Sequence, residues 1–203
     1  MKKILMITVL YLTTFACKAQ LPVVARDASM SDKPQGTYFK DLNNEFNKFE
    51  GTWVYTNGNT SFTIKLFKKE MKYSTSVGYY FDKLYGEYKY VENGVEIINT
   101  LPSLVACPND TDNRNIGGGY IIPTNMFLAC DDCAANERRV MLYFNDPQRS
   151  YLESSIVLRY VIGQNNPNKM KVTLFESDGV ILPYVGAPGE IRVPYGEYLM
   201  VKQ

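Results

Sequence analysis

The chain has 203 residues, 22 basic and 21 acidic side chains, a net charge of +1, 45% hydrophobic residues and no histidine. A balanced charge without a basic cluster excludes the electrostatic footprint needed for nucleic acid or an anionic membrane surface. The missing histidine excludes Ser-His-Asp and Cys-His catalysis and His-based zinc sites, so the expected role is non-enzymatic, without cofactor or metal.

The length fits one domain with a real core. Sixteen Tyr and ten Phe, with many Val, Ile and Thr, favour pleated strands over helices. Residues 1–19 have the order of an export signal: Lys2 and Lys3, an apolar run from Ile4 to Ala16, then small residues at Ala16, Cys17 and Ala19. The run is too short to span a bilayer as a helix. Cys17 is a lipidation candidate that would tether the protein to a membrane, making it an outer-membrane-anchored lipoprotein. Thr14 stands where lipoprotein signals usually place Leu, and cleavage after Ala19 would instead release a soluble periplasmic or extracellular protein. Both routes end in an oxidising compartment.

Residues 20–38 lack periodicity, contain Pro22, Pro34 and Gly36, and read as a flexible leader before a domain over 39–203. Asp41 is a candidate N-cap for a short helix carrying Leu42, Phe46 and Phe49. From Trp53 the period becomes two. Asn57-Gly58 predicts a tight hairpin, and Phe62, Ile64 and Leu66 share one face of the returning strand. Further strands are predicted over Tyr79–Val91, Val95–Leu101, Asn125–Ala129, Arg138–Asn145, Tyr151–Ile162, Lys169–Glu176 and Tyr195–Lys202, with a long loop from Pro102 to about Gly119. In that loop Gly117-Gly118-Gly119 reads as a hinge. The fold class is all-β: a single antiparallel up-and-down barrel of about eight to ten strands with a short N-terminal helix, a sandwich being the alternative.

Cys107, Cys130 and Cys133 are disulfide candidates. Cys130-Asp131-Asp132-Cys133 is a CxxC, but its two carboxylates would raise the thiol pKa and oppose redox reactivity. The favoured reading pairs Cys107 with Cys130 or Cys133, tying the long loop to the barrel and leaving one odd thiol. Asp110 and Asp112 fit the first positions of a calcium loop, but Arg114 and Ile121 stand where oxygen ligands belong. Glu87, Glu96, Glu153 and Glu176 read as outward-facing strand residues and form no spaced catalytic pair.

Phe49-Glu50-Gly51-Thr52-Trp53 resembles the lipocalin opening, in which a short helix closes the barrel base and leads into Gly-x-Trp on the first strand. The resemblance implies an eight-stranded calyx with one open end, and a basic side chain stacked over the tryptophan, here Lys202 or Arg192. The chain also resembles small secreted Bacteroidetes proteins with a CKAQ-like signal end and a calycin-type barrel. On this reading Trp53, Tyr55, Phe62, Tyr88, Tyr90 and Leu158 either line a cavity for a small apolar or amphipathic molecule or simply fill the core. The expectation is thus a ligand-binding barrel. A filled barrel acting as a cell-envelope interaction module is the alternative, and a carboxylate-based hydrolase is the third.

Overall fold

A computed structural model describes residues 21–107, 111, 113–123, 128–161, 168–177 and 182–203. The export signal, Cys17, Asp110, Asp112 and most of the strand expected over Asn125–Ala129 lie outside the described residues, and Leu128 and Ala129 are not in a strand. The strands are β1 (Val23–Ala25), β2 (Tyr38–Lys40), β3 (Gly51–Asn57), β4 (Thr60–Ser74), β5 (Tyr79–Glu92), β6 (Val95–Asn99), β7 (Ile116–Ile122), β8 (Arg139–Phe144), β9 (Ser154–Val161), β10 (Lys169–Glu176) and β11 (Gly196–Lys202). A 3-10 turn (Asn47–Phe49) and one helical turn, α1 (Ser103–Ala106), complete the order.

Eight strands close the barrel in the order β3-β4-β5-β7-β8-β9-β10-β11, with β11 returning to β3 and every neighbour antiparallel. Closure leaves these strands no bare edge. β6 is a side branch on the end of β5. Alternation decides which residues enter: Ile64 opposes Tyr88, Leu142 opposes Ile156, and Val172 opposes Tyr198 on one side and Leu158 on the other. All of these belong to one buried core.

Three expectations are corrected here. Residues 20–38 are not a bare leader, because β1 and β2 pair in parallel and β2 continues onto β5. The short helix is reduced to the 3-10 turn: Asn44 takes a left-handed conformation (φ 53°), and the Asp41 carboxylate accepts the Glu45 and Phe46 N–H groups at 2.8 and 2.9 Å. Asp41 thus does cap, but it caps a turn, since short polar side chains compete with the helical backbone bonds. The three glycines are not a hinge but part of β7, where the strand bulges between Gly118 and Tyr120. A Cβ on Gly119 (φ +142°) would stand 2.8 Å from Phe46 Cζ, so the missing side chain lets the base-closing ring seat against the wall.

The lipocalin-like opening has a physical basis in the fold. Trp53 is fully buried and donates from Nε1 to the Phe49 carbonyl at 2.7 Å. Lys202, not Arg192, lies over its ring, with Nζ 5.4 Å from a ring centroid. Gly51 has φ +112°, and a Cβ there would meet Lys202 Cε at 2.9 Å. Gly51→Ala should therefore both strain the backbone and push Lys202 off the indole, at a cost of about 1–3 kcal/mol. Urea unfolding should show a lower midpoint at unchanged slope. A loss no larger than the ~0.5–1 kcal/mol expected for Lys202→Met would contradict this account.

Candidate functional site

The barrel interior holds all six residues predicted to line a ligand cavity, but they lie there packed against one another and their neighbours. Trp53, Phe62, Tyr88 and Leu158 are fully buried, Tyr90 nearly so, and Tyr55 partly. The Phe62 ring makes edge contacts with Tyr88, Tyr90, Phe144 and Tyr198, and Tyr88 lies 4.3 Å from Phe144 between centroids. Tyr55 meets Tyr198 edge-on at 5.1 Å. The Tyr88 hydroxyl donates to the Asn145 carbonyl at 3.0 Å. Burial pushes its phenol pKa upward, so the group stays neutral. Edge-to-face rings with satisfied hydroxyls are the geometry of a core.

The two barrel ends are also covered. At the base, Asp82 receives hydrogen bonds from the Tyr38 hydroxyl (2.5 Å), the Asp41 N–H (2.9 Å) and the Met71 N–H (3.0 Å). Met71 sits where β4 bulges against β5, so the carboxylate accepts a donor that the irregular ladder leaves over. At the far end Ile191 and Val193 enter the core, and Arg192 grips Asp146 with Nη2 to Oδ1 at 2.5 Å. Burial raises the Asp146 pKa, but the Arg192 side chain and backbone N–H groups outweigh it and hold the carboxyl below its ordinary value.

The outer wall carries what the sequence did not reveal. Glu87, expected to face solvent, is fully buried beneath the segment that carries α1. Arg114 Nη1 lies 3.4 Å from Glu87 Oε1, and Asn115 Nδ2 donates to Oε2 at 2.7 Å. Arg114 also bonds Ser103 Oγ and the Cys107 carbonyl, so one ion pair holds the segment down. Glu153 and Glu176 are exposed, and Glu96 pairs with Lys89.

The cysteine pairing differs from the favoured expectation. Cys130 bonds Cys133, with Cα atoms 5.4 Å apart, and Cys107 is an exposed free thiol. Cysteines three positions apart in one turn reach the Cα separation a disulfide needs. The long loop is held by Arg114 instead.

The disulfide belongs to a segment folded over the outer faces of β8–β11. Arg159 on β9 binds it there, with Nε 2.5 Å from Glu137 Oε1 and Nη1 2.7 Å from Asp132 Oδ2. These bonds hold the Glu137 and Asp132 carboxyls below their ordinary pKa. On the other side Arg138 reaches Glu45 at 2.7 Å and Asp27 at 2.8 Å. Between this segment, the Asn43–Lys48 turn and the barrel wall opens a groove of about 1270 Å³, floored by Tyr160, Val161 and Leu199. A smaller pocket of about 270 Å³ lies under the disulfide itself and shares Asp132, Arg159, Lys171 and Glu197 with the groove. The outward, odd-numbered residues of β9 and β10 were legible as a face. Their roof was not, because the covering contacts join positions far apart in sequence.

An eight-stranded antiparallel barrel with a lysine over the tryptophan of its first strand matches the lipocalin resemblance in those two features, while the open end that the resemblance implied is covered here by Ile191–Val193. The chain belongs to DUF6705, a family of unknown function whose match covers residues 1–203. Comparison with curated proteins and with solved structures gives no match.

Proposed function

We propose that this protein is a non-enzymatic binding protein that holds a small amphipathic molecule against the outside of a filled barrel. The observation that carries the reading is the contrast between the two candidate places. The interior is occupied by Phe62, Tyr88, Phe144 and Tyr198 in mutual ring contact. The outer groove is open, and it combines exposed Leu199 and the Tyr160 ring with a charged rim. An apolar floor with a few placed polar groups is the usual make-up of a small-molecule site. Export to the periplasm or cell exterior fits an oxidised Cys130–Cys133 loop forming one wall.

Native mass spectrometry of the protein from its own host, repeated after denaturation, tests the reading. Extra mass that is released on unfolding, and that is absent from Leu199→Arg but retained by Tyr55→Phe, is expected. A bare mass in both states would instead favour the interaction-module reading. Mass retained by Leu199→Arg but lost on altering Tyr55 would return the ligand to the barrel interior.

A further inference from the structure

The strand register sets three cations side by side on the outer wall. Lys171 on β10 is the direct partner of Arg159 on β9, and Val140 opposite Leu158 places Arg139 of β8 next to Arg159 on its other side. Like charges directly opposite in a sheet are unfavourable, and sheets ordinarily avoid them. Two of the three are compensated: Arg159 by Glu137 and Asp132, and Lys171 by Glu197 at 2.9 Å.

Arg139 is different. It is only 2% exposed, its Nη2 donates to the Leu128 carbonyl at 2.7 Å, and its Nε has no hydrogen-bond partner. No carboxylate lies within ion-pair distance of it among the described residues. A buried guanidinium without a counter-charge is strongly disfavoured unless an anion compensates it. Burial pushes the Arg139 pKa down, Glu137 opposes that, and the neighbouring Arg159 adds to it. The side chain lines the 270 Å³ pocket under the disulfide. That volume holds several waters or one tetrahedral oxyanion. Asp131 stands exposed on the pocket's rim and makes no bond to Arg139.

We propose that this pocket binds a single oxyanion group, a carboxylate, sulfate or phosphate, with Arg139 as its anchor and Lys171 as its second cation. In the outer-groove reading, on which only the ligand's tail depends, the anion is the head of the amphipathic molecule. Its apolar part then lies along Tyr160 and Leu199. The Cys130–Cys133 bond holds the roof over the head, and planar Arg139 supplies the directed donors that a lysine at that place would lack.

Calorimetric titration of the full chain with sodium sulfate and sodium phosphate, against sodium chloride at matched ionic strength, tests the anion site. Saturable oxyanion binding that weakens about tenfold or more in Arg139→Gln is expected, the equivalent of one lost charge-assisted hydrogen bond. Binding no tighter than chloride overturns the proposal. Should Arg139→Gln fail to fold, Lys171→Gln and Asp131→Asn decide. The first weakens sulfate binding and the second strengthens it, and unchanged affinity in both overturns the proposal. Dodecanoate and dodecanol separate the anion site from the groove. Dodecanoate bound more tightly than sulfate, with dependence on Arg139, supports both. Sulfate binding that gains nothing from a dodecyl chain keeps the anion site and removes the groove. Equal binding of the alcohol and the acid, indifferent to Arg139→Gln, keeps the groove and overturns the anion site.

Discussion

Glu87→Ala should destabilise the protein by about 3–5 kcal/mol, because it leaves the Arg114 guanidinium buried without its counter-charge. Both side chains are almost wholly removed from water, and Asn115 also loses its acceptor. The damage should be local as well as global. Arg114 ties Ser103 and the Cys107 carbonyl to the barrel, so hydrogen exchange should accelerate first over the segment carrying α1. Replacing both partners, as Glu87→Leu with Arg114→Met, should recover most of the loss, since a well-packed apolar pair is often as stable as a buried ion pair. Urea unfolding of the two single variants and the double variant makes the cycle. A Glu87→Ala loss below about 1 kcal/mol would mean that water reaches the pair and that Glu87 is the surface residue its strand pattern suggested.

Phe62→Ala should cost a similar ~3–5 kcal/mol, the range for emptying a large ring from a close-packed interior. Phe62 is the hub of the barrel's aromatic cluster, touching four other rings edge-on. The consequence for function is sharper than the stability figure. If the barrel is filled, the variant acquires an apolar void able to take up benzene or xenon, while the parent protein takes up neither. A small stability loss, together with benzene uptake by the parent, would show a hollow interior and would favour the calyx reading over the outer groove. Crystals soaked in xenon, or calorimetric titration with benzene, distinguish the outcomes.

Much of the barrel could be read along the chain. Alternating residues in Tyr79–Val91, Arg138–Asn145 and Lys169–Glu176 placed those strands within a residue or two of where they form, because a half-buried strand writes its two faces into a period of two; Trp53–Leu66 placed β3 and the start of β4, which runs on to Ser74. Asn57-Gly58 marked its hairpin for an equally local reason, the positive φ that glycine adopts freely: Gly58 takes it, while Asn57 stays in β3 opposite Thr60 and the turn closes one residue later than read, over Gly58 and Asn59. The Gly51–Trp53 motif even anticipated a basic side chain over the indole, Lys202 or Arg192, through family likeness rather than spacing, and the fold selects Lys202.

Other features were invisible for one shared reason. The triple glycine looked like a hinge because glycine's local meaning is freedom. Only the arrival of Phe46 from a distant turn shows that the β7 glycines make room for a ring. Residues 23–25 carry no strand pattern of their own and are recruited by the edge that β2 offers. Glu87 sits at an outward position of a well-patterned strand, and what buries it is Arg114, 27 residues further on. The same holds for the burial of Arg139 and the roof over it. Local sequence by itself determined which residues face in and which face out, since that depends on backbone period alone. Which outward faces stay wet, which are roofed, and which buried cation meets no carboxylate among the described residues were decided by the tertiary structure, because burial and charge pairing are properties of segments that meet only when the chain has folded.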